Sequence, residues 1–235
     1  MRLNGSATCM APRRLVLVGG GHQSLLAALQ QRFAAMEGVL VREPVRTQLK
    51  ELVEDAAAGG ALVCGDVRAV WMKPLLILHA RPTMRMAQAD IFAPVLTVLQ
   101  VADAAEMLAA DELCPFGLTA AIFGKEHEAA QLAQRIKVGT VLINDLIVPT
   151  ADPRVPFGGR RGSGFGVTRG AEGLLEMTAV RTLLVRRGKS IRHFQSTGES
   201  HEEMFHGVLG MMHGRGLRDR MEGVRRMIDA ARKLR

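Results

Sequence analysis

The chain has 235 residues, with 48% hydrophobic and 23% charged side chains and a formal net charge of +8. That length suits one large or two small soluble domains and can bury about 70% of the unfolded surface, so no disulfide staple is needed. Three cysteines (Cys9, Cys64, Cys114) without C-x-x-C spacing argue against a disulfide framework or zinc ribbon. Likewise, no apolar run reaches the length that crosses a bilayer, and no signal-peptide pattern opens the chain, so a cytoplasmic, non-membrane protein is the expectation.

RRLVLV (13–18) reads as a buried strand, followed by a glycine cluster and a helix whose Leu25, Leu26, Leu29, Phe33 and Met36 recur at helical spacing. TQLKELVEDAAA predicts a second helix with Leu49, Leu52, Val53 and Ala56 on one face, stopped at Gly59–Gly60. ALVCG and PLLILHA predict short strands, APVLTVLQV (93–101) another, and DAAEMLAADEL a helix capped by Asp103. LTAAIFG, EHEAAQLAQRI and GTVLIND then predict strand, helix and strand. The alternation implies an α/β fold: an open, mostly parallel sheet flanked by helices. EGLLEMTAV predicts a short helix and VRTLLVRR (180–187) an exposed or partner-paired strand, before a loop and one or two helices, the last being GLRDRMEGVRRMIDAARKL. From Arg186 onward twelve Lys and Arg face six Asp and Glu, so most of the excess positive charge sits in this tail. With acids mixed in and only Phe194 and Phe205 as aromatics, a solvated helical face is expected there rather than nucleic-acid binding.

Two glycine-rich segments raise the question of phosphate binding. Gly19 and Gly21 match part of G-x-G-x-x-G, but Ser24 stands at the third position and no acid is placed after a second strand, so an ordinary turn is expected. PFGGRRGSGFG (156–166) lacks the Lys-Ser/Thr ending of a P-loop, although its backbone with Arg160 or Arg161 can cradle an anion. His193, His201, His206 and His213 have no partners at metal-ligand spacing, and no metal site is expected. Cys9, in NGSATCMAPRR (4–14), admits three readings: a small buried residue, a chance thiol near a chain end, or a nucleophile.

Five blocks in order resemble the aldehyde dehydrogenase superfamily. NGSATCMAPRR is similar to its catalytic-cysteine block, and MAQADIFAPVL to its E-x-F-G-P-V segment. CPFGLTAAIF, GTVLIN and PFGGRRGSGFG are similar to its Y-G-L-x-x-x-x-F, G-x-V-x-x-N and P-F-G-G-x-x-x-S-G-x-G blocks. The resemblance implies a catalytic domain over 1–178, an oligomerisation strand over 179–188 and, outside the family core, a basic helical extension over 189–235.

It further implies NAD(P)-dependent oxidation of an aldehyde to a carboxylic acid. In the family a cysteine thiolate forms a thiohemiacetal, hydride passes to the nicotinamide, and base-activated water hydrolyses the thioester. Cys9 takes the nucleophile position. Asp90 replaces the family glutamate that grips the nicotinamide ribose of NAD or NADP, one methylene shorter, and Phe92 matches the phenylalanine beside the nicotinamide. Leu146 and Ile147 fall in the segment lining the aldehyde tunnel, with Phe157 near the active-site wall. Ala93 replaces a glycine, and Ser6–Ala7 a Gly–Gln pair. In the family the coenzyme-binding half, the glutamate general base and an asparagine of the oxyanion hole all precede the cysteine, so this chain is expected to be inactive alone. Its expected partners are an aldehyde substrate and either identical copies or a family N-terminal half. The alternative is a non-catalytic module pairing with an N-terminal half or a full-length relative.

Overall fold

The computed structural model describes residues 6–188 and 196–234, which form two compact units, Met1–Val180 and Arg181–Arg235. In the first unit β1 (Arg14–Val18) leads into α1 (Gln23–Ala34), β2 (Val39–Leu40) and α2 (Val45–Ala58). There follow β3 (Leu62–Cys64), β4 (Trp71–Met72), β5 (Leu75–Ala80), α3 (Arg85–Gln88) and β6 (Val95–Val101). Then come α4 (Ala104–Glu112), β7 (Phe116–Gly117), β8 (Thr119–Ile122), α5 (Glu126–Ala133), β9 (Thr140–Ile143), β10 (Arg160–Arg161) and α6 (Gly170–Glu176).

The main sheet runs β1-β6-β5-β3, parallel except for the antiparallel edge strand β3, and β8 pairs with β9 in parallel beside it. β5 and β6 are almost continuously apolar because both of their faces are covered. Alternation along each strand sends Leu75, Ile77, Val95 and Leu99 to the core that holds Leu49, Leu52, Val53 and Ala56 of α2. Leu76, Leu78, Leu96 and Val98 point to the opposite face, against Leu26, Leu29 and Phe33 of α1. Asp103 caps α4 as its sequence predicts, its carboxylate accepting from the N–H groups of Ala105 and Glu106 at 2.8 and 2.9 Å. The Gly19–Gly21 segment is a turn with positive φ at both of those glycines, between β1 and α1.

Two features go beyond the sequence pattern. Leu25 faces solvent, because the buried stripe of α1 follows Leu26, Leu29 and Phe33 and Leu25 lies about 100° around the helix from Leu26. VRTLLVRR, expected as an exposed or partner-paired strand, pairs with no described strand of this chain, and Val180, Leu183, Leu184 and Val185 are all exposed. A strand exists only through the ladder it shares, and the described residues supply no partner for that one.

The second unit contains α7 (Glu199–His213) and α8 (Leu217–Lys233). A Cβ on Gly207 would lie 2.5 Å from the backbone nitrogen of Met227, and one on Gly223 would collide with the backbone of Met211. Glycine therefore lets the two helix backbones touch. The charges of α8 pair along its own exposed face, Arg226 with Glu222 at 3.3 Å and Arg225 with Asp229 at 4.0 Å. His193 lies outside the described residues, and among those described no group of three His, Cys, Asp or Glu side chains is placed to hold a metal ion.

Leu49→Ala, which empties a fully buried position, is expected to cost about 2–5 kcal/mol in urea unfolding, while the exposed Leu25→Ala costs less than about 1 kcal/mol. Gly223→Ala is expected to speed amide exchange throughout α7 and α8 while leaving β5 and β6 protected as before.

Candidate functional site

Cys9 sits in a tight turn just ahead of β1, where the N–H of Ala11 donates to the Thr8 carbonyl at 3.2 Å, and its side chain is exposed. Asp90 and Phe92 lie just ahead of β6. β1 and β6 are adjacent and parallel with Arg14 opposite Thr97, and the N–H of Thr97 donates to the carbonyl of Arg13 at 2.9 Å. That register carries the two leading segments to the same edge of the sheet, although they are eighty residues apart in the chain.

Arg13 joins them. One η-nitrogen of its guanidinium donates to the carbonyls of Ser6 and Thr8, at 3.1 and 3.0 Å. Its ε-nitrogen reaches Asp90 Oδ1 at 3.4 Å, and its cation lies 5.2 Å from the centre of the Phe92 ring. Burial pushes the Arg13 guanidinium down from its ordinary value, opposed by the hydrogen bond and charge of Asp90 and by the charge of Cys9. The second η-nitrogen is buried and makes no hydrogen bond to the described residues. Ser6, fully buried, holds a left-handed φ of 65° that ordinarily favours glycine.

The segment holding Leu146 and Ile147 is tied to the residue after Cys9 through Thr150. It follows β9, whose end is pinned to the end of β8 by Asn144: its Oδ1 accepts from the N–H of Gly124 at 2.9 Å and its Nδ2 donates to the Gly124 carbonyl at 3.0 Å. The buried hydroxyl of Thr150 contacts both the Ile147 carbonyl and Met10 Sδ, the latter at 2.8 Å. Leu146 is exposed and Ile147 half-buried, with a φ of 66° that strains a β-branched residue. The Cys9 turn is thus joined to Asp90 and Phe92 through Arg13, and to the 146–150 segment through the contact of Thr150 with Met10.

Phe157 stands apart. Its backbone pairs with Thr168 and its ring is covered by Arg169 at 4.8 Å, with no hydrogen bond or ring contact to the Cys9 turn among the described residues. The glycines after it serve close approach: a Cβ on Gly139 would collide with the Gly158 carbonyl, and one on Gly158 with the Gly166 carbonyl. Arg161, weighed from sequence as an anion ligand, is spent on structure instead. It donates to Asp111 Oδ2 at 2.8 Å and to the carbonyls of Asp111 and Cys114, while Arg14 approaches Asp111 Oδ1 at 3.6 Å.

Arg13 and Thr150 are the residues that the sequence reading missed. Both signals lie in long-range pairing, across 77 positions for Arg13–Asp90 and 140 for Thr150–Met10.

The sequence profile of the aldehyde dehydrogenase family matches residues 3–183. An aldehyde dehydrogenase from a Fusarium species is 31% identical over 77% of this chain and 42% of its own length. A succinate-semialdehyde dehydrogenase [NADP(+)] of Deinococcus radiodurans is 31% identical over 74% of this chain and 40% of its own. For a vanillin dehydrogenase of Pseudomonas fluorescens the figures are 30%, 81% and 42%. The chain therefore spans about two fifths of the length of these relatives. Among solved structures, a double mutant of betaine aldehyde dehydrogenase from Staphylococcus aureus, in complex with NAD+, superposes with a TM-score of 0.75 over 82% of this chain and 43% of that one, at 23% identity.

Asp111→Ala strips two partly buried arginines of their shared carboxylate and is expected to cost about 1–3 kcal/mol in denaturant unfolding. Thr150→Val, which keeps the volume and removes the hydroxyl, is expected to speed proteolytic cleavage at 144–152 without moving the unfolding midpoint by more than about 1 kcal/mol.

Proposed function

The chain belongs to the aldehyde dehydrogenase family, and from that premise we propose that residues 6–188 are the cysteine-bearing part of an NAD(P)-dependent dehydrogenase that oxidises an aldehyde to a carboxylic acid. The observation that supports the reading is the bridge of Arg13 from the carbonyl of Thr8, next to Cys9, to Asp90 and the Phe92 ring, with Thr150 linking the Ile147 segment to Met10. Cys9 is the nucleophile: its thiolate sulfur bonds to the aldehyde carbon, the carbonyl oxygen takes the negative charge, and the Cys9 backbone N–H is one donor to that oxyanion. Loss of hydride from the carbon leaves a thioester on Cys9, and water then releases the acid and restores the thiol.

Asp90 and Phe92 are the contacts to the nicotinamide half of NAD or NADP. The donor set fits: an exposed carboxylate that can accept from two ribose hydroxyls stands beside an exposed, flat ring. When bound, the nucleotide supplies the hydride acceptor. Asp90 would hold the ribose hydroxyls, and Phe92 would offer the nicotinamide a flat apolar contact. Leu146 and Ile147 give the aldehyde an apolar wall, and Phe157 shapes the outer rim of the pocket through the glycine loop. The exposed apolar row Val180, Leu183, Leu184 and Val185 serves as the strand that pairs with another subunit, since main-chain pairing would satisfy its ladder groups and cover those side chains.

The family's general base and side-chain oxyanion donor precede the cysteine block and so lie outside these 235 residues. General-base help is typically worth about 10²–10⁴-fold and an oxyanion donor about 10²–10³-fold. We infer that catalysis by residues 6–188 needs both of these groups, as a family N-terminal half would supply them. The runner-up, a non-catalytic module that pairs with such a half or with a full-length relative, draws on the same exposed row.

The isolated chain is expected to form no NAD(P)H from aldehydes, whereas co-expression with a family N-terminal half is expected to give aldehyde oxidation that Cys9→Ala abolishes. Turnover by the isolated chain that depends on Cys9 would overturn the need for a second half. A co-purifying but inactive pair would overturn the dehydrogenase reading and leave the pairing module.

A further inference from the structure

The departures from the family pattern at Ser6, Ala93 and Asp90 are, on sequence alone, equally compatible with decay and with a rebuilt site. The contacts of Arg13 bear on the choice. Two of the residues joined by its guanidinium are departures: the carbonyl of Ser6, in a left-handed conformation where the family has glycine, and the carboxylate of Asp90, where the family has the longer glutamate. Ala93, the third, is fully buried two residues from the N–H that Val95 donates back to it at 2.8 Å.

The groups around the guanidinium are few. Asp90 is the acid that faces it, and Cys9 follows directly on Thr8, whose carbonyl accepts from it at 3.0 Å. The neighbouring Arg14 is turned away onto Asp111, which also holds Arg161. Phe92 covers the remaining face. With an arginine side chain only 12% exposed, the two carbonyl bonds fix the Cys9 turn from behind, and the ion pair fixes the reach of the short Asp90.

We propose that Arg13 is a positioning residue of this site: it clamps the Cys9 turn to the Asp90–Phe92 segment and keeps a positive charge beside the thiol. The proposal rests on Cys9 being the nucleophile, but not on turnover. An arginine in this place compensates the shortened carboxylate by drawing Asp90 toward the nucleophile turn, and its cation favours anionic groups approaching Cys9, the oxyanion of the adduct among them.

The test compares alkylation of Cys9 in the full chain by iodoacetate, which is anionic, and iodoacetamide, which is neutral, with labelling read residue by residue by mass spectrometry. Neither reagent needs cofactor or aldehyde, so a failed dehydrogenase assay leaves the result standing. The iodoacetate-to-iodoacetamide ratio at Cys9 is expected to exceed that of the urea-unfolded chain by about two- to fivefold, as a nearby unit charge dictates. Arg13→Gln should bring the ratio down to the unfolded value, Arg13→Lys should keep it, and Asp90→Asn, which unpairs the cation, should raise it further. The buried Cys114 reports folding: a variant in which it labels is unfolded, and Asp90→Asn and Arg13→Lys then decide. A wild-type ratio in Arg13→Gln, or an Asp90→Asn ratio no higher than wild type, would overturn the proposal.

Discussion

The site depends on the parallel pairing of β1 with β6. The bond from the N–H of Thr97 to the carbonyl of Arg13 starts the ladder, and every residue ahead of it on either strand is placed by that register. A slip of one residue would turn each strand's side chains to the opposite face, so the cores on both sides of the sheet also hold residues 9 and 90 together. Leu96 and Val98 answer to one helix, and Val95 and Leu99 to the other. The cost of misregister is then spread over the whole interior, which is why an exposed cysteine on a turn can have a fixed address.

Around that ladder the remaining segments attach through a few polar side chains rather than through more core. Asn144 bonds the ends of β8 and β9 and so aims residues 146–150, while the Thr150 hydroxyl closes the distance to Met10. Asp111, between Arg14 and Arg161, ties the glycine loop to the start of β1. The glycines let loops meet backbone to backbone where any Cβ would collide, as at Gly139 against Gly158. Arg13 is the fastener that touches both the Cys9 turn and the segment proposed to meet the nicotinamide.

Much of this was legible in the sequence because it is local. Period-2 and period-3.6 patterns place Leu49, Leu52 and Ile77 in the interior, Asp103 is a cap by its own chemistry, and the ordered blocks from Cys9 to Gly166 point to one family. What escaped is what depends on the partner. Arg13 reads as the charged start of a strand until Asp90 is set beside it, and Thr150 reads as one polar residue in an apolar loop until Met10 arrives. Helical spacing alone did not separate the exposed Leu25 from Leu26, Leu29 and Phe33, which follow the buried stripe. Residues 180–187 have the composition of a strand, but a ladder needs a second backbone that composition does not supply.

The account turns on Cys9 being a nucleophile held ready on a fixed turn, and its covalent step needs no nucleotide. The most direct measurement is carbon NMR of the full chain with an aldehyde labelled with ¹³C at the carbonyl. The account predicts a tetrahedral thiohemiacetal resonance that Cys9→Ala removes and that persists when Cys64 is replaced by serine. A resonance that survives Cys9→Ala, or none in the native chain, would contradict it.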